Sequence, residues 1–201
     1  MGNNHLINIS MKLKGIPWLF SVALLAGACS GPQAKESAEP GVMTQDELIS
    51  RGEYLVTTGG CADCHSPKIM TDQGPVPDME RYLSGHPAGD TLPPVPEAMA
   101  NAPWILFTPD LTATVGPWGT SYAANLTPDP SGLGNWTLEQ FIRALREGKY
   151  KGLENSRPLM PPMPWQNFRN FTDQDLEAIF LYLKTLKPID NVVPAWQPPA
   201  S

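Results

Sequence analysis

Cys61, Cys64 and His65 stand together in Gly60-Cys61-Ala62-Asp63-Cys64-His65-Ser66, a spacing that carries a specific chemistry. A Cys-x-x-Cys-His run is the attachment pattern of a c-type haem. Each thiol adds across one vinyl group of the porphyrin, and the two-residue spacer sets both sulfurs on one side of a helical turn. The adjacent imidazole then falls under the iron as its proximal ligand. Two other readings of a Cys-x-x-Cys pair fare worse. Zinc needs further ligands, and the chain offers Cys29, His5 and His86, the first two in a segment outside the mature domain. A thioredoxin-like redox pair opens a helix after a strand in an α/β alternation, and no such alternation is present. The pentad occurs once, so the expected cofactor is one covalently attached haem c.

Fast electron transfer by a His-ligated haem calls for a sixth ligand, and a methionine thioether raises the potential. Of eight methionines, Met1 and Met11 go with the leader, Met43 precedes the domain, Met70 is close to the pentad, and Met79 and Met99 lie in a long loop. Met160 and Met163 stand in Leu159-Met160-Pro161-Pro162-Met163-Pro164-Trp165, each before a proline that biases it to extended backbone. A stiff loop of this kind can hold a sulfur against iron, and local physics leaves both candidates open. His86 reads as a surface histidine of the long loop.

Three segments have the signals of helices that would position these groups. Thr44-Gln45-Asp46-Glu47 forms a capping box, followed by Leu48, Ile49, Leu55 and Val56 on one stripe, with Gly52 allowing close approach of another helix. Thr137-Leu138-Glu139-Gln140 opens a second over residues 137–147. Thr172-Asp173-Gln174-Asp175 opens a third, carrying Leu176, Ile179, Phe180, Leu183 and Leu186 at helical spacing and stopped by Pro188. The first and last of these helices are natural partners. No alternating strand pattern occurs, so the predicted fold is all-α. Ser66 to Asn135, with twelve prolines, reads as irregular chain wrapped around the haem.

The chain of 201 residues, 41% hydrophobic, suits one domain with extensions. Residues 1–28 read as an export signal: Lys12 and Lys14 precede a short apolar run ending Leu25-Ala26-Gly27-Ala28-Cys29. That ending resembles a bacterial lipobox, which would make Cys29 an acylated N-terminus and anchor the protein to a membrane from the periplasm. Residues 29–43 form a flexible tether, 44–190 the haem domain and 191–201 a tail. The formal charge of −6, which becomes −8 without the leader's two lysines, argues against nucleic acid and favours redox partners with a basic face.

The chain resembles the class I cytochrome c superfamily, and more narrowly the cytochrome c domains of membrane-associated alcohol and gluconate dehydrogenase subunits. The likeness rests on Tyr54-Leu55 leading into Gly60–His65, on Gly119-Thr120-Ser121-Tyr122-Ala123-Ala124-Asn125-Leu126-Thr127-Pro128-Asp129, and on Gly132-Leu133-Gly134-Asn135-Trp136-Thr137. It aligns the family's ligand loop with Leu159–Trp165, which implies Met163 as iron ligand and Met160 in the place of an aromatic beside the haem. It also implies that Pro75, in Gly74-Pro75, supplies the carbonyl that accepts the His65 imidazole N–H. Two departures stand out: one pentad where those subunits usually carry three, and an enlarged segment from Val76 to Gly116. The resemblance implies a periplasmic mono-haem carrier of single electrons, serving a dehydrogenase, an oxidase or another cytochrome, and not an enzyme. The alternative is a haem enzyme or gas sensor with an open sixth position, for which Arg81, Arg157 and His86 would be the distal groups.

Overall fold

A computed structural model describes residues 43–96 and 103–199; the leader, Cys29, nearly all of the tether and Met99 lie outside them. Helix α1, Gln45–Thr58, begins where its sequence says it must. The Thr44 side chain accepts from the Glu47 N–H, and the Glu47 carboxylate accepts from the Thr44 N–H at 2.8 Å. It buries Leu48, Gly52, Leu55 and Val56 against helix α5, Asp173–Thr185, whose own capping box joins Thr172 and Asp175. Gly52 is the crossing point, since a Cβ there would overlap the Ala178 carbonyl of α5. Beside it, Arg51 Nε donates to Asp175 Oδ1 at 2.6 Å, so the residue that caps α5 also ties it to α1.

Helix α3, Leu138–Glu147, is capped by Thr137 and Gln140 and stopped by Gly148 in the left-handed region at φ +66°. It contributes Phe141 and Leu145 to the core, with the Phe141 and Phe180 ring centroids 5.4 Å apart. Leu55, Val56, Leu83, Leu133, Leu176, Ile179 and Leu183 complete that core. Two short helices, α2 over Cys61–His65 and α4 over Trp165–Phe168, flank it. None of the described helices is long and apolar enough to cross a membrane.

The all-α expectation needs correction. Strands β1, Lys68–Thr71, and β2, Gly74–Pro77, form an antiparallel hairpin in which Lys68 faces Pro77 and Thr71 faces Gly74. Strands β3, Leu106–Phe107, β4, Ala113–Gly116, and β5, Gly119–Tyr122, form a second antiparallel sheet in that order. Both fall inside the stretch read as irregular. They are too short for an alternating pattern to register, and Pro75 and Pro77 mask β2, which tolerates them because a two-stranded sheet has only edges.

The segment read as a C-terminal tail pairs with the rest of the chain. Thr120 and Gln197 exchange backbone hydrogen bonds at 2.9 and 3.0 Å, and Trp196 Nε1 donates to the Trp118 carbonyl at 2.8 Å. The C-terminal segment therefore covers the free side of β5.

Candidate haem centre

Gly60 sits at φ +68°, in the left-handed region, and lets the chain turn sharply from α1 into α2. The five residues of α2 place Cys61, Cys64 and His65 within little more than one turn. Both thiols are free. Burial pushes Cys61 up to about 11, and burial followed by the Asp63 charge raises Cys64 against the opposing pull of Lys68. Both therefore stay protonated at neutral pH. Among the described residues no group of three or more His, Cys, Asp or Glu is placed to hold a metal ion.

His65 is anchored from behind. Its Nδ1 lies 2.7 Å from the Ala124 carbonyl; a carbonyl can only accept, so Nδ1 carries the proton and Nε2 keeps its lone pair. Burial lowers the imidazole pKa, with the Ala124 bond opposing and the Lys68 charge assisting, so the neutral, ligating form prevails. This corrects the expectation at Pro75, which lies exposed in β2 opposite Met70. The physical reason is a short backbone ladder: Gly85 N–H donates to the His65 carbonyl, His86 N–H to that of Ala123, and Leu126 N–H to that of Leu83. It lays residues 123–126 beside 83–86 and presents Ala124 to the ring. Such a partner orients the ring and raises its basicity.

The thiols on one turn and an imidazole with Nε2 left available fit a covalently held haem. Met163 packs against the core cluster that Cys61 and Ala62 also touch. Its loop is pinned where Leu159 N–H meets the Gly148 carbonyl at 2.6 Å and Ser121 Oγ donates to the Pro161 carbonyl at 2.6 Å. Met160 is half-buried in the same loop, one turn earlier, with its carbonyl accepting from Met163 N–H.

His86 is not the surface residue that its loop suggested; it is 2% exposed. Thr112 Oγ1 donates its one proton to Asp110 Oδ2 and so accepts from His86 Nδ1 at 2.8 Å. The ring lies 5.0 Å from that of Tyr122. It belongs to the ladder behind His65. Arg81 is paired with Asp78, and Arg157 stacks 3.9 Å from the Tyr150 ring centroid, so both candidate distal arginines have structural partners. Sequence reasoning also missed Lys68, whose Nζ reaches the carbonyls of Ala62, Asp63 and Ser66. The sequence offered no signal for Ala124, because a backbone carbonyl has no residue type.

Fold and site together fit a largely helical protein that carries a covalently attached haem c. The family model described as cytochrome c matches residues 49–187, and the chain belongs to that family. It is 31% identical over 90% of its length to a nicotinate dehydrogenase protein of Pseudomonas putida, covering 13% of that relative. It is 31% identical over 68% of its length to the gluconate 2-dehydrogenase cytochrome c subunit of Pantoea cypripedii, covering 23% of it. Against the cytochrome c subunit of the quinone alcohol dehydrogenase of Gluconobacter oxydans it is 28% identical over 90% of its length, covering 29% of that relative. The chain thus spans less than a third of these relatives. The resemblance to alcohol and gluconate dehydrogenase cytochrome domains holds.

Proposed function

We propose that this chain is a mono-haem electron carrier of the periplasm, tethered through an acylated Cys29, with His65 and Met163 as the axial ligands of iron. The observation that carries the reading is the His65 ring, fixed at Nδ1 by Ala124 on the same helical turn as two free thiols. Haem c, when bound, supplies a one-electron ferrous–ferric couple. The protein holds both ligands, keeps water from the iron and breaks no substrate bond. The partner is a dehydrogenase, as the names of the relatives suggest, presenting a basic face to an acidic domain.

The test is optical. After expression in a host that matures c-type cytochromes, colour should stay with the polypeptide through acid–acetone extraction. The ferric protein should show the weak near-red band of sulfur-to-iron charge transfer. Met163→Ala should abolish that band and Met160→Ala leave it; the reverse pattern moves the ligand role to Met160. Incorporation of labelled palmitate, lost in Cys29→Ser, tests the anchor.

A further inference from the structure

The last carbonyls of helix α2 have no partner within the helix, and Gly85 N–H takes that of His65. Lys68, the first residue of β1, folds its side chain back onto them. Its ammonium donates to the carbonyls of Ala62 at 3.0 Å, Asp63 at 2.9 Å and Ser66 at 2.5 Å. Three N–H donors meet three acceptors, so the geometry of Nζ is fully determined. All three acceptors are neutral carbonyls. The positive charge is therefore held in place without a carboxylate bonded to it, against the helix that carries Cys61, Cys64 and His65. Burial disfavours that charge, while Asp110 and Asp63 at longer range support it.

We infer that Lys68 is a positioning residue of the haem centre: it locks the C-terminal end of the attachment helix, and its fixed cation holds the reduction potential up. The inference rests on the haem reading above. A ferric centre carries one more positive charge than a ferrous one, so a nearby fixed cation disfavours the ferric state. Because the ammonium is only partly exposed, solvent and salt screen it incompletely. Removing it would also leave Asp63 and Asp110 unopposed, which pushes in the same direction.

The experiment is equilibrium redox titration of the haem-loaded protein, following the visible spectrum, for wild type, Lys68→Met and Lys68→Arg. Lys68→Met should shift the equilibrium toward ferric by about threefold to tenfold, where tenfold corresponds to about 59 mV for one electron. Lys68→Arg keeps the charge and should stay close to wild type. An unmoved potential in Lys68→Met, or an equal fall in both variants, overturns the inference and leaves Lys68 as a helix cap only. If Lys68→Met loads no haem, Lys68→Gln keeps donors to the carbonyls without the charge, and the same criterion applies to it. A wild type that holds no covalent haem overturns both readings, whereas a haem-loaded wild type with an unmoved Lys68→Met overturns this one alone.

Discussion

At the residue scale, the groups that would make bonds to haem were legible and the groups that hold them were not. Cys61, Cys64 and His65 announce themselves because covalent attachment fixes residue type and spacing together. Their support is backbone: the Ala124 carbonyl and the ladder beside it. Gly85 tests that support. It sits at φ +81°, and a Cβ there would lie 2.6 Å from the Ala123 oxygen and the Ala124 carbonyl carbon. Gly85→Ala should therefore cost roughly 2–3 kcal/mol in urea unfolding, from left-handed strain plus overpacking. It should also weaken the near-red band, because the displaced Ala124 carbonyl no longer orients His65. A variant that is destabilised with its band intact would show that Ala124 is not what orients the ring. His86 shows the reverse limit of sequence reading: a histidine amid prolines looked solvent-facing, and only tertiary contacts with Thr112 and Tyr122 bury it.

At the element scale, three capping boxes located the starts of the three long helices of the described residues to within a residue, since caps are local chemistry. The two small sheets escaped because pairing over two to four residues is set by partners distant in the chain. The α1–α5 crossing is where a local signal and a tertiary one coincide. Asp175 caps α5 and accepts from Arg51. Burial alone would raise its pKa, but hydrogen bonds from Arg51 and Thr172 and the Arg51 charge outweigh it and hold the carboxyl below its ordinary value. A carboxyl lowered in the folded state stabilises the protein above its unfolded pKa, near 3.8, and that stability is lost as pH falls through the folded pKa. Asp175→Ala should thus cost roughly 1–2 kcal/mol at neutral pH. The gap from wild type should narrow once the pH drops below the ordinary carboxylate range. A gap that is constant down to strong acid would assign the loss to packing alone. Gly52→Val, which would drive a side chain into the Ala178 carbonyl, should be worse, about 3 kcal/mol or more by the same unfolding assay at any pH.

At the scale of the whole molecule, the C-terminal segment links parts that sequence reading kept separate. Asn191 Nδ2 donates to the Ser84 and His86 carbonyls at 2.7 and 2.9 Å, and its Oδ1 accepts from Ala88 N–H. Asn125, next to the His65 partner Ala124, donates to the Ile189 carbonyl at 2.8 Å. Farther on, Trp196 and Gln197 close over β4–β5, the sheet whose Ser121 holds the methionine loop. One segment of chain thus braces both the residues behind His65 and the sheet that holds the loop of Met160 and Met163, a role invisible in a run of prolines and polar residues. Ending the chain after Asp190 removes the four side-chain bonds of Asn191 and Trp196 while leaving α5 and the Asn125–Ile189 bond in place. Each contributes about 1 kcal/mol net, so the loss should reach roughly 4 kcal/mol, read as a lower urea midpoint. The same truncation should quicken exchange of the sixth ligand for added cyanide or imidazole, since the 121–161 tether loses its backing. A truncated protein that is less stable but exchanges its ligand at the wild-type rate would confine the segment to bracing the fold.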